Sequence, residues 1–477
     1  MRDKLEWSPE WKEAGRSVFS GSNVIVAGSA GTGKSAWIRD ITRLLRKNGV
    51  GVQVVSFTAS AAENVGGRTI HSVFGFRPNV DILASDSSVS WQTRARIEGI
   101  STLIIDEVSM LNPRLLDAVS ERCRKFPATV QWNEDSVGEQ FGGRQVILVG
   151  DPLQLAPVLN NEDRLILRGE DYPSQFWFDA KRYQPEKFTH VCFTKPYRQV
   201  PGTDFINLLD DLRHGKNFDE HHPTLHGRRE ELLDSHDNSL AVNLTHDNNL
   251  RRKINEAELA KIGGSQRVSP IHWTVPKETD RKRKVPNQFE EVLQLKIGAR
   301  VMFTQNKYDK NQKLIWTNGS TGVVTGFTPE EGSHLTEIEV RLDDERTVKV
   351  GREKFQDYQS VRNNRPGEKP KVEMKLVLEA IQFPLTLGWA FTIHKSQGKT
   401  IGKVRINMSD GFAPGMAYTA LSRVRQLDDV VISGSIGPHH FPPPHERLRD
   451  YLVKYFPCSE ALLPETISLP ELPPELA

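Results

Sequence analysis

VIVAGSAGTGKSAWIRDITRLLRKNG, residues 24–49, decides the fold. VIVAG (24–28) is a short, continuous apolar run, the pattern of a strand buried on both faces. GSAGTGKS (28–35) follows at once. Its glycines free backbone N–H groups to wrap phosphates, its lysine reaches the β- and γ-phosphates, and its serine hydroxyl suits magnesium. Trp37, Ile38, Ile41, Leu44 and Leu45 then fall on one helical stripe that Gly49 closes. Strand, phosphate loop and helix in that order make the chain α/β. They assign Gly28, Ser29, Ala30, Gly31, Thr32, Gly33, Lys34 and Ser35 to ATP, with Mg2+ on Ser35.

Further strands surround this unit. GVQVVSFT (51–58), TLIIDE (102–107) and RQVILVGD (144–151) are short apolar runs that end in polar residues, as strands of a parallel sheet do at their functional ends. In LIIDEVSML (103–111), Asp106 is placed to hold the metal ion and Glu107 to orient or deprotonate an attacking water. A nucleotide switch needs only the aspartate, so the second acid favours hydrolysis. In LVGDPLQLAPV (148–158), Asp151 and Gln154 are placed to sense a γ-phosphate, although Asp-Pro-x-Gln alone also describes a plain turn.

A second α/β set begins near 187. KFTHVCF and NSLAVNLT read as strands, TDFINLLDDLRHG and NNLRRKINEAELAKIG as helices. KVRINMS and DDVVISG later flank the helix PGMAYTALSRVR. Between them, 300–378 changes to short strands with turns at Asn318-Gly319 and Asp343-Asp344, a small inserted β-barrel. The expected division is a first domain over 1–185 with an insertion at 73–100, a second over 186–299 plus 379–437, the barrel at 300–378, and a proline-rich tail at 438–477. That tail holds one amphipathic helix, ERLRDYLVKYF, and is available to dock another protein.

The 477 residues suffice for about three domains at roughly 150 residues each. A net charge of +2 excludes bulk attraction to a polyanion, so any nucleic-acid surface must be a local patch. The basic runs at 251–253 and 281–284 are expected to be solvated. Cys123, Cys192 and Cys458 show no paired spacing, which argues against a disulfide framework or a cysteine zinc site. MRDKLEWSPE has no apolar core and no run of about 18 apolar residues occurs, so neither a signal peptide nor a membrane span is expected. The expected setting is the cytoplasm, at the nucleoid, with nuclear or organellar placement left open.

GSAGTGKS, SFTASAAENVGGRTIHSVFGF, LIIDEVSML and FGGRQVILVGDPLQLAPV resemble, in order, the motifs of the petite-integration-frequency (Pif) family of DNA helicases. PYRQVPGTDF (196–205), NGSTGVV (318–324), FTIHKSQGKT (391–400) and YTALSRV (418–424) continue the match over roughly residues 5–435. RecD-type and Dda-type helicases share most of these motifs. The resemblance implies two RecA-like P-loop NTPase domains, a small inserted β-barrel, a strand-separating wedge at 73–100, and ATP-driven 5′-to-3′ movement on single-stranded and forked DNA. It also implies that Arg198 and Arg423 contact the γ-phosphate, a role worth about 10³–10⁵ in rate.

FTIHKSQGKT ends like a phosphate loop but has Ile393 where the loop's first glycine belongs. By resemblance it lines the seam between domains, with His394 and Ser396 on DNA phosphates and Gln397 and Gly398 toward the nucleotide. Thr58, His71 and Ser72 would hold the DNA backbone from the first domain. Phe74 and Phe76 suit either base stacking or core. Trp91 suits either a wedge tip or a buried anchor. Two departures stand out. Trp11 occupies the place of the family's adenine-reading glutamine, so stacking would replace amide readout and relax nucleotide choice. Pro152-Leu153 replace a frequent aromatic pair. The expectation is a helicase, monomeric off DNA. The alternatives are a motor subunit that unwinds only with partners, and a nucleotide-gated switch with little turnover.

Overall fold

The computed structural model describes residues 7–76, 89–129, 139–157, 159, 161–233, 241–275, 290–305, 307–309, 314–316, 319–329, 335–363, 371–408 and 411–456. Residues 77–88 of the expected wedge, the basic run at 281–284, Asn318 and the tail beyond 456 lie outside them.

Strands β1 (Asn23–Gly28), β2 (Val52–Ser56), β3 (Arg68–Thr69), β4 (Thr102–Asp106), β5 (Gln145–Gly150) and β6 (Phe188–Phe193) form one parallel sheet in the order β3-β2-β4-β5-β1-β6. Every residue of β4 and β5 is buried, as strands covered on both faces must be. Alternate residues feed two cores. Val24, Val26, Ile104 and Ile147 pack with Trp11, Trp37, Ile38 and Ile41 from helices Pro9–Phe19 and Lys34–Lys47. Ile25, Leu103, Ile105 and Leu148 pack on the opposite face with Leu115, Leu116 and Val119. The strands' carboxyl ends therefore bring Gly28, Asp106 and Asp151 to one edge.

Here one boundary is corrected. KFTHVCF was expected to open the second domain from 186. It pairs in parallel with β1 along its whole length, from Asn23 opposite Phe188 to Gly28 opposite Phe193. Phe188, Val191 and Phe193 are buried in the first lobe's cores, so β6 completes that lobe.

The second lobe is a parallel sheet of Ala390–Thr392, Val242–Thr245, Val404–Asn407 and Val430–Ser433, in that order. Helix Asp204–His214 packs Phe205, Leu208, Leu209 and Leu212 into its core and ends at Gly215 in the left-handed region. The helix in AYTALSRV is shorter than its apolar pattern suggests. It spans Met416–Leu421, and Arg423 lies beyond its cap, Ser422, rather than on it.

Strands Thr347–Gly351, Glu337–Leu342, Thr321–Thr328, Arg300–Phe303 and Leu385–Leu387 form the inserted antiparallel sheet, in that order. It has a separate core that includes Leu295, Phe303, Ile338, Val340 and Leu385. The insertion exceeds its expected limits of 300 and 378. A long hairpin, Glu353–Asn363 with Lys371–Gln382, pairs on its far strand with His272–Val275.

Helix Glu446–Tyr455 returns to the first lobe, where Leu448, Tyr451, Leu452 and Phe456 are buried. Arg447 grips Asp179 through Nε and Nη2, both at 2.6 Å, and the Tyr451 and Tyr183 hydroxyls lie 2.7 Å apart. A stretch expected to belong to a tail is thus a strap between the lobes. Cys192 is disulfide-bonded, against the expectation from spacing, and Cys123 is free and buried. Among the described residues, no helix is long and apolar enough to cross a membrane.

Candidate active site

The phosphate loop is built by close approach. Gly31 and Gly33 take φ of 91° and 80°, and a Cβ on either would come within 2.4 Å of a neighbour, Gln199 Oε1 or Trp11 Cζ2. Glycine is therefore required at both. Gly33 caps helix Lys34–Lys47 with no side-chain cap, which leaves its first amides for an anion. Lys34 Nζ donates to the carbonyls of Gly28 at 2.8 Å and Ser29 at 2.9 Å. Burial lowers its pKa, against the pull of Asp151, Glu107 and Asp106.

Asp106 and Glu107 follow directly from β4. Asp106 Oδ1 accepts the Glu107 N–H at 2.9 Å. Burial and the Glu107 carboxylate push the Asp106 carboxyl up to about 8. Burial also raises Glu107, although Lys34 and Arg423 oppose it. Glu107 has φ of 54°, a left-handed conformation that a non-glycine residue adopts at some cost and that is common at active sites. The donor set here, the Ser35 hydroxyl and the buried Asp106 carboxylate, is all oxygen. It lacks enough positive charge to keep both acids ionised, so it fits a hard divalent cation such as Mg2+.

A cleft of about 290 Å³ separates the lobes at this point. Lys34, Ser35, Glu107, Gln154, Arg198, Gly398 and Arg423 all line it. Arg198 Nη1 donates to the Ser422 carbonyl at 2.8 Å. Burial and the neighbouring Arg423 push its pKa down to about 9. Arg423 is buried and splayed over its own lobe: Nε to the Thr419 carbonyl at 2.7 Å, Nη2 to Ser422 Oγ at 2.7 Å, Nη1 to the Ser396 carbonyl at 3.3 Å. Gln397 Nε2 reaches across to Glu107 Oε2 at 3.0 Å and Gln154 Oε1 at 3.3 Å. The Gly398 carbonyl accepts from Asn64 Nδ2 at 3.4 Å.

Some expected residues stand elsewhere. Trp11 is fully buried between Phe193, Tyr197 and the helix beneath the loop, so it presents no face to a base. Tyr197 lines the cleft in its place. Ser396 is buried and its hydroxyl donates to the Ile393 carbonyl at 2.7 Å, which leaves it as a prop for Arg423 rather than a DNA donor. Phe74 and Phe76 are core. Trp91 is 67% exposed at the start of helix Trp91–Glu98.

Thr58, His71, Ser72 and His394 follow the ends of β2, β3 and Ala390–Thr392. Thr58 Oγ1 accepts the Ala61 N–H at 3.2 Å, and Ser72 is exposed. Burial lowers the pKa of both His71 and His394, so each is a neutral imidazole near pH 7.

Sequence reasoning missed Tyr418, Arg213, Tyr197 and Asn64. Tyr418 and Tyr197 sat inside quoted motifs, beside arginines that took the attention. Arg213 carries no local signal, since its partner, Asp151, belongs to another lobe.

Residues 13–223 match a family model described as PIF1-like helicase. The ATP-dependent DNA helicase Pif1 of Bdellovibrio bacteriovorus is 31% identical over 439 residues, covering 90% of this chain and 88% of that protein. The human ATP-dependent DNA helicase PIF1 is 31% identical over 428 residues, covering 89% of this chain and 60% of its own length. The chain therefore spans nearly all of the bacterial relative and about three fifths of the human one. The crystal structure of Pif1 helicase from Bacteroides in complex with ADP-AlF3 and ssDNA superposes with a TM-score of 0.71 at 30% identity, over 94% of this chain and 97% of that one.

Proposed function

From the premise that this chain belongs to the PIF1-like helicase family, the ATP-hydrolysing DNA helicases, we propose that it moves 5′-to-3′ on single-stranded DNA and separates duplex or structured DNA as it goes. The observation that carries this reading is the shared cleft. Lys34 and Glu107 come to it from one lobe, Arg198, Gln397 and Arg423 from the other.

The loop from Gly28 to Ser35 cradles the triphosphate. Lys34, Arg198 and Arg423 meet its β- and γ-oxygens, where transition-state charge spreads. Glu107 orients the attacking water, with Gln154 and Gln397 fixing its carboxylate. Ser35 and Asp106 would hold Mg2+, which supplies charge neutralisation at the phosphates. Tyr197 gives the base an aromatic face. Arginines buried in the second lobe cannot reach the phosphates unless the lobes stay close, so occupancy of the cleft biases the lobe spacing. Thr58, His71 and Ser72 on one lobe and His394 on the other hold the DNA backbone. A change in spacing then becomes a step along the strand.

The test is ATP hydrolysis with and without single-stranded DNA, alongside unwinding of duplexes tailed at the 5′ or 3′ end. The expected result is stimulated hydrolysis and unwinding of the 5′-tailed duplex. Hydrolysis unaffected by DNA would point to a nucleotide-gated switch. Stimulation without strand separation would point to a motor that needs partners.

A further inference from the structure

Glu107 is held by more than its immediate neighbours. Gln397 Nε2, which donates to it, also donates to Gln154 Oε1. Gln154 Nε2 in turn donates to Asp151 Oδ2 at 3.0 Å. Asp151 is fully buried, and Arg213 Nη2 meets its Oδ1 at 2.9 Å. The Tyr418 hydroxyl donates to Asp151 Oδ2 at 3.0 Å. That same hydroxyl accepts the Ala30 N–H at 2.9 Å, and Ala30 belongs to the phosphate loop. An unbroken path of hydrogen bonds thus leaves the loop, passes through Tyr418 in the other lobe, returns at Asp151 and Gln154, crosses again at Gln397, and ends on Glu107.

We propose that Tyr418 is a positioning residue that couples the phosphate loop to Glu107, so that the attacking water is aligned only when the lobes and the loop are in register. This rests on the reading of Glu107 as the group that orients water. Tyr418 never touches the reacting atoms in this scheme; it acts through Asp151, Gln154 and Gln397. Its hydroxyl is suited to the task because donor and acceptor functions are both committed across the seam, the acceptor to Ala30 of the phosphate loop and the donor to Asp151 at the end of β5. In a buried network such bonds polarise one another, and loss of one member is felt by the rest. Burial and Asp151 hold the phenol's pKa far above its ordinary value, so its proton stays in place throughout the working pH range. Arg213 compensates the Asp151 charge independently, which lets the hydroxyl be removed without stranding a buried carboxylate.

The test is a double-mutant cycle on DNA-stimulated hydrolysis with Tyr418→Phe and Gln397→Met, the two second-lobe members of the path. The phenylalanine keeps the buried ring, and the methionine keeps the length of the side chain. Each single variant is expected to lower kcat by about tenfold with KM for ATP within about twofold, and the double variant to be no worse than the poorer single. Losses that multiply in the double variant would overturn the coupling. So would a Tyr418→Phe protein that melts at a lower temperature yet keeps wild-type kcat, the signature of a merely structural hydroxyl. Should that variant be too unstable to assay, amide exchange at Ala30 in wild-type protein gives the second reading. Strong protection that relaxes in Gln397→Met supports the path, and protection indifferent to Gln397→Met refutes it. A wild-type protein without DNA-stimulated hydrolysis would instead defeat the functional reading itself.

Discussion

Trp11 lies directly beneath Gly33: a Cβ added to that glycine would come within 2.4 Å of the indole Cζ2. The indole is therefore a floor for the phosphate loop rather than a platform for the base. Its Cβ-to-ring volume fills the space between helix Pro9–Phe19 and β6, with Phe193 at 5.8 Å between ring centroids. Trp11→Ala should cost about 3–5 kcal/mol of stability, as truncation of a buried aromatic does. Urea unfolding measures it, and a loss below 1 kcal/mol — about the size of a surface substitution — would contradict the burial.

Nucleotide choice then turns on Tyr197, whose ring stacks obliquely on Trp11 at 5.3 Å and lines the cleft. An aromatic face accepts any base, because every base offers a π-face. GTP and UTP are expected to support hydrolysis at rates near that of ATP at saturating DNA. Tyr197→Ala should raise KM for all three by about tenfold while kcat changes little, since stacking contributes about 1–3 kcal/mol per base. A strong preference for ATP in the wild-type protein would show that an adenine-specific contact exists elsewhere.

Glu107 and Lys34 separate chemistry from binding. Glu107→Gln keeps the side chain's size and its contact with Gln397, but cannot take a proton. Its turnover should fall by about 10²–10⁴ while a fluorescent ATP analogue still binds. Lys34→Ala removes the charge that the loop carbonyls now hold, so hydrolysis should vanish with part of the DNA affinity kept. Chelation of divalent cations should likewise stop hydrolysis. Normal turnover in Glu107→Gln would remove Glu107 from its role.

With a net charge of only +2, DNA affinity has to come from local backbone contacts. Single-strand binding should therefore weaken with salt, with a log–log slope of about −0.7 for each phosphate neutralised. His71→Ala and His394→Ala should weaken binding evenly across DNA sequences, if both hold the backbone as proposed, since both are neutral near pH 7. Their loss should leave the salt slope almost unchanged. Fluorescence anisotropy across salt concentrations reads both effects, and a flat wild-type response would argue against a backbone track.

What the residues announced, and what they hid, divides along physical lines. The first lobe was legible because buried parallel strands are continuous apolar runs and because the glycines of a phosphate loop admit no substitute. KFTHVCF read equally well as a strand, but strand partners in a parallel sheet are set by three-dimensional layering, and nothing local in β6 names β1. Arg423 and Arg198 were visible by their motif. Tyr418 and Arg213 were not given roles, since each matters only through Asp151, which lies 267 and 62 residues away in sequence. Ser396 looked like a phosphate donor because its hydroxyl's actual partner, the carbonyl three residues back, is an ordinary local bond that any serine in a short helix can make.

Burial of imidazoles sets the last expectation. His190 stacks on Tyr455 of the strap helix at 5.0 Å, and its Nε2 is buried without a hydrogen-bond partner. Burial lowers its pKa, although the Phe188 backbone and Glu186 pull it upward. The folded protein therefore resists protonating His190 while the unfolded chain accepts a proton near pH 6.5. Its contribution to stability is complete above that value, declines as pH falls below it, and is lost once pH passes the lower folded pKa. Asp106 and Glu107 act in the opposite sense over the same range, because their raised pKa values make the folded state hold protons that the unfolded chain has released. Total stability against pH would mix the two. The difference between wild type and His190→Phe cancels the acids, since they are common to both proteins. Urea unfolding at pH 7.5 and 5.5 should show the phenylalanine variant gaining on the wild type as the solution is acidified, with the strap's ring contact retained. A stability difference that stays constant, or that moves the other way, would mean that the folded protein protonates the β6 imidazole as readily as the unfolded chain does, or more so.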